Sequence, residues 1–130
     1  MRVDQARGLL GFNTAVVANI FAFATYRSGD VADYGKADRG WREARAELAR
    51  SLDNCDAVLL AYGVSEPTGA ARHLHRSQVA WLHDAIDVTG LPVWWVGNSP
   101  RHPSRWQRYT FREFPGVEYG QALRSALSLR

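Results

Sequence analysis

The chain has 130 residues, 46% of them hydrophobic and 22% charged, with a net charge of +3 and a pI near 9.4. That balance suits one folded domain and excludes a disordered chain. No apolar run approaches the roughly 18 residues of a membrane span, and the mixed-charge start MRVDQARGLL has no apolar signal region.

Taken in chain order, VDQARGLLGF (3–12) predicts a leading helix, and the nearly continuous apolar run AVVANIFAF (15–23) a buried strand. In residues 38–54, Trp41, Ala44, Leu48 and Leu52 recur at helical spacing, with Asp38 placed to cap the start. The single cysteine, Cys55, cannot form an internal disulfide, which points to a reducing, cytoplasmic setting and a packing role for the thiol. DAVLLAYG (56–63) predicts a second strand. A second amphipathic helix follows in residues 68–90, with Leu74, Trp81, Leu82, Ala85 and Ile86 on its apolar stripe and Gly90 at its close. PVWWVG (92–97) predicts a third strand and GQALRSALSLR (120–130) a terminal helix. Strands alternating with helices define an α/β fold, expected as a single three-layer α/β/α domain with a small, mainly parallel sheet.

In such a sheet, ligands collect beyond the carboxyl ends of the strands. That rule selects NIFAFATYRSGD, YGVSEPTGA and GNSPRHPSRW, all rich in glycine, proline or polar residues. Residues 101–112 hold four arginines, one histidine and three aromatics, a mixture suited to phosphates and stacked bases, or to a solvated edge whose rings fold back on the core. Pro100 and Pro103 flank His102 and preset its direction, so its imidazole is placed to donate a hydrogen bond to developing negative charge. Asn19 interrupts an apolar strand, where a buried amide must find partners and can read the edge of a base. No phosphate-binding glycine fingerprint, hydrolase elbow or metal set is present in the sequence: His73 and His75 diverge on their helix, and His75 and His83 share a solvent face. No cofactor is expected.

The stretches GFNTAVVANIFAFATYRSGDV, CDAVLLAYG and WWVGNSPRHPSRW resemble the domain-of-unknown-function family 1643, over roughly residues 6 to 106. FATYRSGD departs from that family's usual loop, and Tyr62 stands where it has tryptophan. More distantly the three pieces are similar to the uracil-DNA glycosylase superfamily. That resemblance implies a uracil-DNA-glycosylase-like fold and a pocket for a nucleobase, nucleotide or nucleic acid. Asn19, Phe21, Tyr62, Gly63, Asn98 and Ser104 would contact the base, and Arg101, Arg105 and Arg108 the phosphates. His102 would stabilise a departing base if an N-glycosidic bond is cleaved. The families' first motif, which carries the water-activating acid and an inner strand, has no counterpart in this chain. The sequence therefore also carries a second expectation, a non-catalytic binding or regulatory module whose sheet is completed by a partner chain, most simply in a homodimer.

Overall fold

A computed structural model of the protein describes residues 2–21 and 39–130. It is a mixed α/β chain that falls into two compact units, the first built from residues 1–17, 57–64 and 92–130 and the second from residues 18–56 and 65–91. Among the described residues, no helix is long and apolar enough to cross a membrane.

The first unit begins with α1 (Arg2–Leu10). Its end is closed by Gly11 at φ 83°, with the Phe12 N–H on the Arg7 carbonyl and the Gly11 N–H on that of Gly8. This two-bond motif needs a left-handed residue at the turn, which glycine adopts without penalty. The sheet follows, in the order β1 (Val58–Leu59), β2 (Val93–Val96), β3 (Leu127–Leu129). β1 runs parallel to β2, with Val58 opposite Val93, and the Leu60 N–H extends the ladder to the Trp94 carbonyl at 2.9 Å. β3 runs antiparallel to β2, with Val96 opposite Leu127 and Trp94 opposite Leu129. The sheet is therefore mixed rather than mainly parallel. A 3₁₀ turn at Pro103–Arg105 leads into α4 (Trp106–Glu113), and α5 (Tyr119–Ala126) is capped by Glu118, whose carboxylate accepts the Gly120 and Gln121 N–H groups. Ala6, Val96, Trp106, Leu123, Ala126 and Leu127 form the core, so helices and sheet bury a common apolar surface.

Two sequence expectations are corrected here. Residues 15–21 form no strand, and Val16 and Val17 are 80% and 66% exposed; Ala22 and Phe23 lie outside the described residues, as does Asp38. An apolar β-branched run is a strand only where a neighbouring ladder receives its backbone groups, and among the described residues no strand pairs with residues 15–21. The terminal helix stops at Ala126 because Leu127 is extended, and the last residues join the sheet. The Gly97 N–H takes the Ala126 carbonyl and the Arg130 N–H takes the Val93 carbonyl, which fixes that register.

The second unit holds α2 (Arg39–Asp53) and α3 (Ala70–Thr89), the latter closed by Gly90 at φ 70°. Trp41, Ala44 and Leu48 are buried from α2, and Ala71, His75, Gln78, Leu82 and Ile86 from α3, a seam recurring at three- and four-residue steps. Gln78 is fully buried and satisfied: its amide donates to the carbonyls of Ile20 and Trp41 at 2.9 and 2.7 Å, and its Oε1 accepts from Arg45 Nε at 2.8 Å.

His75, expected on a solvent face, is instead 8% exposed, with its ring edge-on to Trp41. Its Nδ1 finds no hydrogen-bond partner among the described residues. Burial pushes its pKa below the ordinary 6.5; Glu66 pulls it back up and Arg76 adds to the depression. As pH falls, the unfolded chain takes up this proton before the folded one does. The His75 contribution to stability is thus complete above pH 6.5 and shrinks as pH falls below it. The urea midpoint of the wild type is expected to fall between about pH 7.5 and about pH 5 more steeply than that of His75→Phe. Parallel profiles for the two proteins would remove His75 from the acid response.

Candidate functional site

The site lies in the first unit, where the ends of β1 and β2 meet the loop from Gly97 to Arg105. Gly97 and Asn98 follow β2 with φ of 67° and 59°. These two consecutive left-handed residues turn the chain sharply, and glycine and asparagine are the residues that accept such angles most readily. Asn98, expected to contact a base, has its Oδ1 3.0 Å from Ser128 Oγ, which donates to it, so its amide anchors the turn to β3. The loop then returns to the segment that follows β1. The Gly63 N–H donates to the Pro100 carbonyl at 2.7 Å, and Gly63 itself has φ 96°. A Cβ added at Gly63 would lie 3.8 Å from His102 Cβ, so space would permit a side chain there but the backbone angle disfavours one. The structure thus brings Gly63 and His102 together.

His102 caps the 3₁₀ turn. Its Nδ1 accepts the Ser104 backbone N–H at 3.2 Å, and Ser104 Oγ lies 2.9 Å from the same nitrogen. A backbone N–H can only donate. Nδ1 must then be the lone-pair nitrogen, and the neutral ring carries its proton on Nε2. The His102 ring is exposed, so the Nε2–H is a donor held in a fixed direction by Pro103 and the cap. Ser104 is spent on orienting His102 through its N–H and hydroxyl.

The rest of the loop is held from below by α4. Trp106 is fully buried, and its Nε1 donates to the Arg101 carbonyl at 2.9 Å. The Arg101 guanidinium carbon stacks 4.1 Å from the centre of the Tyr109 ring. Arg101 Nε and Ser99 Oγ are buried with no hydrogen-bond partner among the described residues. Two buried polar atoms in one loop represent hydrogen-bonding capacity that a ligand or water would satisfy. Tyr62, next to Gly63, is half-buried; burial pushes its phenol up and Arg130 pulls it partly back, which keeps the hydroxyl protonated. Arg105 and Arg108 are exposed.

Two expected site residues lie in the second unit instead. Phe21 is buried, its ring centre 4.7 Å from that of Trp41, and packs in that unit's core. Asn19 is exposed and ends no strand, so its expected burial is corrected. The Trp106 anchor and the positive-φ pair at Gly97–Asn98 were missed in the sequence, although a Gly-Asn step directly after an apolar strand is a legible turn signal.

These features define a mixed α/β protein with a histidine-bearing loop at the end of a small sheet. No family model matches the chain, and no curated protein or solved structure does either.

Proposed function

We propose that the loop from Gly97 to Arg105, with the Tyr62–Gly63 segment beyond β1, recognises a nucleobase presented in a nucleotide or nucleic acid. The fold reading that accompanies this is the three-layer, uracil-DNA-glycosylase-like one. The observation that carries the proposal is the His102 cap, because it aims one neutral Nε2–H outward beside a segment that carries no side chain at Gly63. A carbonyl oxygen of a base is the complement of that donor. Arg101 and Arg105 flank His102 and supply positive charge for the phosphate.

Recognition is favoured over hydrolysis. Cleavage of an N-glycosidic bond leaves the bonding electron pair on the base, where the His102 Nε2–H would stabilise the oxygen that takes up the charge. Hydrolysis also requires a group to deprotonate water. The first unit holds three acids, and none belongs to the loop or to the Tyr62–Gly63 segment: Asp4 is on α1, Glu113 ends α4 and Glu118 caps α5. A non-catalytic binding module therefore fits this unit better than a hydrolase centre contained within it.

Titration with uridine monophosphate, followed by amide NMR, tests the reading. Shifts are expected at Gly63, His102 and Ser104, and His102→Ala should weaken the affinity about two- to tenfold, the value of one hydrogen bond. Unmoved amides at millimolar nucleotide would overturn it.

A further inference from the structure

The two units differ in charge. The first carries eight arginines against three acids, a formal +5, while the second has eight basic and ten acidic residues, a formal −2. Half of the first unit's arginines lie between positions 101 and 112. At about 100° per residue, Arg105, Arg108, Phe111 and Arg112 fall within one arc about 120° wide on α4 and its cap. Trp106 and Thr110, both buried, face the opposite way. The core therefore orients the helix so that its cationic arc points to solvent.

Phe111 lies within that arc and is 78% exposed. The rings of residues 101–112 thus divide: Trp106 folds back into the core, Tyr109 lies under Arg101, and Phe111 stands out among arginines. Among the described residues neither Arg105 nor Arg108 has an ion pair, and Arg112 has only its exposed contact with Glu113 at 3.3 Å. Such surface pairs are weak and readily exchanged. An exposed ring flanked by guanidinium groups matches a polyanion whose bases have accessible faces. A duplex offers phosphates but keeps its bases stacked, so the complement is a single strand.

We infer that the outward face of α4 is a track for single-stranded nucleic acid, with Arg105, Arg108 and Arg112 on phosphates and Phe111 stacked on a base. From Arg105 to Arg112 the track is about 10 Å long. The inference deepens the base-recognition reading, since the track would lead a strand toward His102, but it rests on a separate set of side chains.

The test is fluorescence anisotropy of a labelled oligothymidylate over a range of salt. Each of Arg105→Ala, Arg108→Ala and Arg112→Ala should flatten the log–log salt dependence by about 0.7, and the triple variant by about 2. Phe111→Ala should weaken binding roughly five- to hundredfold with the slope unchanged, and Phe111→Trp should restore it. All four side chains are exposed, so folding is not at stake. Absence of wild-type binding at low salt, equal affinity for a duplex, or an unaffected Phe111→Ala would each overturn the track. His102→Ala separates the two readings. A lost nucleotide response with an unchanged oligonucleotide salt slope leaves the track standing alone; a missing slope sinks the track whatever the nucleotide does.

Discussion

Trp106→Ala is expected to destabilise the sheet-bearing unit by about 3–5 kcal/mol, a large share of the roughly 5–15 kcal/mol that holds a domain folded. The indole is fully buried among Ala6, Val96, Leu123, Ala126 and Leu127, and truncation would leave a cavity at the centre of that cluster. The Arg101 carbonyl would also lose its donor from Nε1. Trp106→Phe keeps most of the apolar volume and removes the hydrogen bond, so about 1–3 kcal/mol is expected. Urea unfolding followed by circular dichroism measures both. An alanine variant with an unchanged midpoint would mean that Trp106 is not the anchor of the loop.

Gly97→Ala should cost about 2–5 kcal/mol, the sum of two penalties. At φ 67° an L-residue pays about 1–2 kcal/mol for the left-handed backbone. The new Cβ would also be driven into the Tyr109 ring, an overpacking that costs about 1–3 kcal/mol. Displacing Tyr109 would free the Arg101 guanidinium that stacks on it, so nucleotide affinity should fall together with stability. Combining Gly97→Ala with Tyr109→Leu should recover the steric part but not the backbone part. Full recovery in the double variant would show that the turn does not require glycine.

Much of this organisation was legible in the sequence. The helical spacing of Trp41, Ala44 and Leu48, the stop at Gly90, and the apolar VWWV strand all reflect local periodicity, which the chain carries without reference to distant residues. The end of the chain was misread because SALSLR fits a helical stripe and a two-residue alternation equally well. The choice is made by β2, whose free edge pairs with Leu127–Leu129. Residues 15–21 show the converse, with strong β propensity and no ladder among the described residues to receive it.

The site divides along the same line. His102, Ser104 and Gly63 were selected because proline and glycine constrain a backbone locally, and the structure brings them close together. Asn19 was misjudged because its burial depended on a strand that did not form. Phe21 was assigned to a ligand, whereas its place against Trp41 is decided by tertiary packing. His75 was placed on a solvent face with His83, but the buried seam of α3, through Ala71, Gln78, Leu82 and Ile86, runs through it.

The central claim is that His102 presents a protonated Nε2 to its ligand while Nδ1 is held by the Ser104 N–H. A long-range proton–nitrogen NMR spectrum of ¹⁵N-histidine-labelled protein measures this directly, with His102→Ala used to assign the ring. The neutral ring should show a lone-pair nitrogen at Nδ1 and a proton at Nε2, and uridine monophosphate should move the Nε2 resonance. A neutral ring with its proton on Nδ1, or an Nε2 signal indifferent to the nucleotide, would contradict the account.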